Sequence, residues 1–65
     1  MEILTWYARN RKNVTLIELS ELTGISKSTL YNIENGKASP TIEQLEIIAK
    51  ALDCKISDLY DSPYK

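Results

Sequence analysis

The chain has 65 residues, a net charge of −1, one cysteine and no histidine. One thiol closes no internal disulfide, and without histidine or a glycine-rich loop the chain lacks material for metal clusters, nucleophile–histidine pairs and nucleotide sites. The first residues do not show a charged n-region followed by an apolar h-region, and no apolar run approaches the roughly 18 residues that span a membrane. We therefore expect one small cytoplasmic domain with a modest core that is not an enzyme and carries no cofactor, metal or membrane segment.

The first predicted helix runs from about residue 2 to residue 11. Its apolar residues are spread too broadly to fix which face points inward. Trp6 and Tyr7 are interpreted as packing residues rather than as stacking platforms.

The second and third predicted helices have clear start and stop signals. Thr15 with Glu18 forms a capping box at the start of a helix that ends near residue 23. Gly24 supplies the positive φ that a tight turn requires, and Ser26 is suited to cap a third helix that ends at residue 34 or 35. Gly36 then forms part of a C-terminal cap signal.

Two further helices follow a short loop. Thr41 and Gln44 form a second capping box, and apolar residues at helical spacing run from residue 42 to residue 52. A last short helix is predicted at residues 56–60, although Lys55 is an unfavourable N-cap. The chain is therefore predicted to be all-α, with five helices.

Residues 16–35 have the layout of a helix-turn-helix. The apolar positions of the third helix point to a common core. The residues left for its outer face are Lys27, Ser28, Tyr31, Asn32 and, in part, Thr29.

The stretch 24–37, which ends Glu-Asn-Gly-Lys, resembles the recognition helix of the Xre family, also called the Cro/C1-type or lambda-repressor-like family. Residues 40–45 and 48–52 are similar to the fourth helix of that family, so the resemblance covers nearly the whole chain. LacI-type proteins share the turn at residues 24–29, but there it starts close to the N-terminus. Here a predicted helix precedes it, which favours the Xre class.

The resemblance implies a compact five-helix lambda-repressor-like domain, single over residues 1–65, that regulates transcription, with repression as the expected role. Such a domain binds a roughly palindromic operator in double-stranded DNA as a dimer, with its third helix in the major groove. Carried onto this chain, the base contacts fall on Lys27, Ser28 and Asn32, with Ser26 and Tyr31 at the edges. The phosphate contacts fall on Thr15, Asn35 and Lys37.

The resemblance also implies an ion pair between Arg9 in the first helix and Glu34 at the end of the third. Without the resemblance, the alternative is that both are exposed charged side chains, and an exposed ion pair between them would stabilise the fold by at most about 1 kcal/mol. We predict a structural pair, which makes both of them fold residues rather than DNA readers.

The C-terminal segment is predicted to form a homodimer interface. It offers apolar surface that either serves a two-fold dimer or caps the core, and its residues are Ile56, Leu59, Tyr60 and Tyr64. Cys54 is interpreted as a small apolar residue rather than a redox sensor.

The charge distribution leaves one alternative open. Residues 26–38 carry two lysines against one acid, whereas acids predominate from residue 41 to residue 65, so the middle of the chain can face DNA. The net negative charge favours instead an antitoxin subunit or a protein-docking module on the same fold. No small-molecule effector is apparent in either case.

Overall fold

The computed structural model describes residues 1–65 and is mostly helical. A 3₁₀ helix follows the last α-helix, and a two-stranded antiparallel sheet completes the fold. None of the helices is long and apolar enough to cross a membrane. The elements are β1 (Glu2–Ile3), α1 (Thr5–Arg11), α2 (Leu16–Thr23), α3 (Lys27–Glu34), α4 (Ile42–Leu52), the 3₁₀ helix (Ile56–Leu59) and β2 (Tyr60–Asp61).

The predicted start of the first helix is wrong by three residues. Ile3 pairs with Tyr60 in the sheet, and the N–H of Leu4 donates to the carbonyl of Leu59 at 2.8 Å. These backbone groups are satisfied by a distant segment, so α1 begins only at Thr5. The sheet thereby joins the two ends of the chain.

The capping boxes predicted for α2 and α4 are confirmed. The N–H of Glu18 donates to Thr15 Oγ1 at 3.1 Å, and the N–H of Thr15 donates back to the Glu18 carboxylate at 2.9 Å. Thr41 and Gln44 make the same reciprocal pair at 3.0 and 2.9 Å. Both helices therefore start where their local sequence signals put them.

The turn between α2 and α3 is held by side chains as well as by Gly24, whose φ is +75°. The Ser20 hydroxyl donates to the carbonyl of Ile25 at 2.7 Å, and the N–H of Ile25 donates to Thr23 Oγ1 at 3.1 Å. Ser26 then caps α3 by accepting the N–H of Thr29. These bonds set the direction in which α3 leaves the turn.

The last predicted helix is a single 3₁₀ turn that ends at Leu59, not an α-helix that reaches residue 60. Lys55 provides no side-chain cap, as its residue type predicts. The Asp58 carboxylate instead accepts the N–H of Lys55 at 3.0 Å. The predicted helical fold class is confirmed, with two differences in detail: the fifth helix is a 3₁₀ turn beside four α-helices, and a small two-stranded sheet is added.

The core contains residues from all four α-helices and the 3₁₀ helix. Leu59 is 0% exposed, because its side chain is buried in the core of the monomer. Its inclusion among the predicted dimer-interface residues is therefore wrong. Cys54 is partly buried and packs against this core. Burial and, secondarily, the Asp58 carboxylate raise the pKa of the Cys54 thiol, which keeps it protonated and a poor nucleophile.

Candidate nucleic-acid interface

Arg9 and Glu34 lie together between α1 and the end of α3. Arg9 Nε donates to Glu34 Oε2 at 2.7 Å, and a second guanidinium nitrogen donates to Oε1 at 3.0 Å. The third nitrogen donates to the carbonyl of Val14 at 3.1 Å, just before α2. Because the two side chains are only 11% and 6% exposed, this is a bidentate structural pair that fixes α3 relative to α1 and α2.

The outer face of α3 carries a shallow depression of about 420 Å³. Its lining consists of four residues predicted as base contacts, namely Lys27, Ser28, Tyr31 and Asn32. The side chains of Lys27, Ser28 and Asn32 make no hydrogen bond within the protein, so their donors and acceptors are free. Asn32 is half-buried, whereas the other three lining residues are exposed.

Ser26, the fifth predicted base contact, has a different role in the structure. Its hydroxyl accepts the N–H of Thr29 at 3.2 Å and donates to Thr29 Oγ1 at 2.8 Å. A hydroxyl that caps a helix has little capacity left for a base edge. The sequence already contained this information, because Ser26 occupies the N-cap position.

Of the three residues predicted to contact phosphate, Lys37 has the freest donor. Thr15 uses both its N–H and its hydroxyl in the capping box. The side-chain amide of Asn35 donates to the carbonyl of Tyr31 at 2.8 Å and keeps one free N–H. The main-chain N–H of Lys37 donates to Asn32 at 2.9 Å, so only its ammonium group remains for an external partner.

The face of α3 and the loop that follows it carry two lysines without a carboxylate partner. The single ion pair of the molecule is that of Arg9 with Glu34, so neither Lys27 nor Lys37 is neutralised by a carboxylate. The Lys37 ammonium lies 5.8 Å from the centroid of the Tyr31 ring. This contact was not predicted from the sequence, which shows only that the two residues lie six positions apart.

Comparison with known proteins decides the family. A family model described as Helix-turn-helix matches residues 7–59, which is most of the chain. The chain belongs to the helix-turn-helix family. This membership confirms the resemblance to the Xre, or Cro/C1, class found in the residues of α3 and α4.

Relatives within the helix-turn-helix family support the same assignment. The chain is 42% identical over 52 residues to the SPbeta prophage-derived uncharacterized HTH-type transcriptional regulator YopS of Bacillus subtilis, covering 78% of this chain and 70% of YopS. It is 33% identical to the competence pilus inhibition repressor of Acinetobacter baylyi, covering 83% of this chain but only 49% of that protein. Such relatives are transcriptional regulators, which confirms the prediction of a regulator rather than an enzyme.

A solved structure of the helix-turn-helix family has the same fold. The N-terminal DNA-binding domain of SinR from Bacillus subtilis matches with a TM-score of 0.80 and 32% sequence identity. The match covers 94% of this chain and 90% of that domain. The architecture described above is therefore that of a helix-turn-helix DNA-binding domain.

Proposed function

We propose that this chain is a sequence-specific repressor that reads double-stranded DNA with α3 in the major groove. The observation that carries the proposal is the depression on the outer face of α3. Its lining includes a lysine, which suits guanine, and an asparagine amide without a partner in the protein, which suits adenine. The serine in the lining can bond to either base. An α-helix fits the width of the major groove, so such a surface on an exposed helix is suited to base edges.

Two features around α3 support phosphate binding beside the groove. Lys27 and Lys37 have no carboxylate partner, and each can release a counterion from a DNA phosphate. The N–H groups of Leu16 and Ile17 have no acceptor within the protein and lie at the positive end of α2. The Glu18 carboxylate of the capping box opposes a phosphate there, so we assign the main phosphate contact to Lys37.

The repressor role is supported by the relative named competence pilus inhibition repressor. Because this chain spans about half of that protein, the role is proposed for the DNA-binding domain alone. A roughly palindromic operator follows if two copies bind together, since two-fold symmetry in the protein is mirrored in the site.

The test separates base reading from phosphate contact. Duplexes enriched by the chain from random DNA supply an operator, and a scrambled duplex supplies the non-specific reference. Asn32→Ala should lose about 1 to 3 kcal/mol on the operator and relax preference at one base pair in each half-site. Lys37→Ala should weaken both duplexes almost equally and make the slope of log affinity against log salt shallower by about one unit per site.

Lys50→Ala is the matched control for Lys37→Ala. It removes the same charge from an exposed position on α4, which is not part of the lining of the depression on α3. Its affinity and salt slope should stay close to those of the unmutated chain. If Asn32→Ala leaves both affinity and base preference unchanged, docking of α3 in the major groove is wrong.

A protein-docking or antitoxin module is the second candidate, favoured by one apolar surface. Leu22, Ile47 and Ala51 line an open groove between α2 and α4. Leu22 is 61% exposed there although it is a large apolar residue. If the chain shifts no duplex in a mobility-shift assay at low salt, that result would support this candidate over DNA reading.

A further inference from the structure

Tyr31 occupies a position between two lysines on the outer face of α3. Lys27 lies four residues earlier, one helical turn away on the same face. Lys37 lies beyond the end of the helix, yet its ammonium returns to 5.8 Å from the Tyr31 ring centroid. A cation at this distance over an aromatic face is attracted by the ring quadrupole.

The backbone that follows α3 brings Lys37 back toward the helix. Gly36 has φ +72°, a left-handed conformation that reverses the chain direction and suits glycine. The N–H groups of Lys37 and Ala38 then both donate to the carbonyl of Asn32, at 2.9 and 3.2 Å. Residue 37 is therefore anchored over the last turn of α3, and its side chain runs back along the reading face.

The main chain of Tyr31 is also held in place at the end of α3. The Asn35 side-chain amide donates to the carbonyl of Tyr31 at 2.8 Å, and the N–H of Asn35 donates to the same oxygen at 3.1 Å. These bonds stiffen the end of the helix from which the ring projects. A long lysine side chain pays substantial entropy when it is immobilised, so a preformed ring contact lowers the cost of presenting its charge.

We propose that Tyr31 is a positioning residue, whose ring holds the Lys37 ammonium at the edge of the reading face for a DNA phosphate and does not itself read a base. This inference rests on the proposed function and names the role of one residue within that surface. It replaces the edge base contact predicted for Tyr31 from the family resemblance. The energetic consequence falls on phosphate binding, which is the same on every DNA sequence.

Two substitutions at Tyr31 test the role of the ring. Tyr31→Leu removes it and should weaken binding about two- to fivefold, equally on an enriched duplex and on its scrambled counterpart. Tyr31→Phe keeps the ring without the hydroxyl and should recover most of that loss. Anisotropy titrations of labelled duplexes over a salt series give both numbers.

A double-mutant cycle with Lys37→Gln distinguishes positioning from direct contact. If the ring acts through the lysine, Tyr31→Leu adds no further loss once Lys37 has been replaced. Tyr7→Leu is the matched control, because Tyr7 is also an exposed helical tyrosine, at 58% against 50% for Tyr31, but lies on α1. It should leave affinity for both duplexes unchanged.

A measurement without DNA tests the contact itself. The ε-methylene protons of Lys37 should show an upfield ring-current shift in the NMR spectrum of the free protein. The shift should vanish in Tyr31→Leu and persist in Tyr31→Phe.

Three outcomes would overturn the inference. These are a loss confined to the enriched duplex, losses that add in the double variant, and a Lys37 signal that does not respond to Tyr31→Leu. Failure of the unmutated chain to bind either duplex would instead reject the proposed function, and this inference with it.

Discussion

The Thr5 hydroxyl is a buried polar group without a partner. Thr5 is the first residue of α1 and is 1% exposed, and its Oγ1 atom makes no hydrogen bond within the protein. A buried hydroxyl that loses its water partner and gains none costs about 1 to 3 kcal/mol. The residue is therefore retained at a cost to the stability of the fold.

Replacing that hydroxyl by a methyl group should stabilise the protein. Thr5→Val keeps the β-branched shape and should raise the free energy of unfolding by about 1 kcal/mol, because no unpaired polar atom remains buried. Thr5→Ser is the control, since it keeps the hydroxyl, deletes the methyl group and should lose about 1 kcal/mol. Urea denaturation measures both changes, and a Thr5→Val variant less stable than the unmutated chain would show that the hydroxyl has a partner.

The shape of the Arg9 side chain matters as much as its charge. Its guanidinium group contacts both carboxylate oxygens of Glu34 and the carbonyl of Val14. A lysine ammonium is a point charge and does not match this planar set of three acceptors. One residue thereby joins α1, α3 and the segment that precedes α2.

The pair should respond to loss of geometry as well as to loss of charge. Glu34→Ala should cost about 3 to 5 kcal/mol, because it leaves a guanidinium group buried and unpaired. Arg9→Lys keeps the charge and should still cost about 1 to 3 kcal/mol, since at least one acceptor is left unsatisfied. Denaturant unfolding of both variants measures these changes. An Arg9→Lys variant as stable as the unmutated chain would contradict the role given to the planar guanidinium group of Arg9.

The two capping boxes have the same geometry but different titration behaviour. In α2 the returning side chain is the Glu18 carboxylate, and hydrogen bonds from the backbone N–H and the side chain of Thr15 lower the pKa of Glu18 from its usual 4.5. In α4 the returning side chain is the neutral Gln44 amide. Only the first cap therefore contains a group that is protonated in acid.

Acid should weaken the α2 cap and leave the α4 cap intact. Because the folded pKa of Glu18 lies below the unfolded value, its contribution to stability is complete above about pH 4.5 and is lost as the pH falls through the folded pKa. Glu18→Gln should flatten the pH dependence of unfolding in that window, and Gln44→Glu should steepen it. Thermal unfolding at a series of pH values checks both, and equal slopes in all three proteins would refute the assignment.

The elements that could be predicted from the sequence are those with local signals. Thr15, Ser26 and Thr41 cap helices through residues three positions away, so their helix starts are visible in short segments. Strand β1 forms because Ile3 pairs with Tyr60, which is remote in the sequence. Local signals do not show this pairing, and they predict a helix at residues 2 and 3 instead. Periodicity alone also does not tell whether an apolar side chain such as Leu59 faces the core or a second subunit.

Only part of the candidate surface could likewise be predicted from the sequence. The outer face of α3 followed from helical spacing, and its four lining residues do come together. The ring contact of Lys37 depends on the path of the loop after α3. That path is determined by the φ of Gly36 and by two hydrogen bonds to Asn32, which residue types alone do not specify.

At the scale of the whole molecule, the candidate DNA-reading helix and the C-terminal segment share α1 as a neighbour but otherwise pack against different elements. Helix α3 packs against α2 and α1, whereas the 3₁₀ helix packs against α4, α1 and β2. The molecule measures 31 × 23 × 19 Å along its principal axes. Two copies that pack across the shorter axes have centres closer than the roughly 34 Å of one DNA turn, so a two-fold dimer of that kind has its recognition helices on the sides away from the interface.

We predict that the C-terminal surface forms a homodimer through the remaining candidates Ile56, Tyr60 and Tyr64. Tyr64 is 95% exposed, so Tyr64→Ser should leave the monomer folded while it removes apolar contact area and shifts the sedimenting species from dimer toward monomer. Ile42→Ser is the control, because Ile42 is 71% exposed at the start of α4 and outside this surface. Sedimentation equilibrium over a concentration series measures both variants. An unmutated chain that stays monomeric at high concentration and binds its operator as a single copy would rule out the dimer.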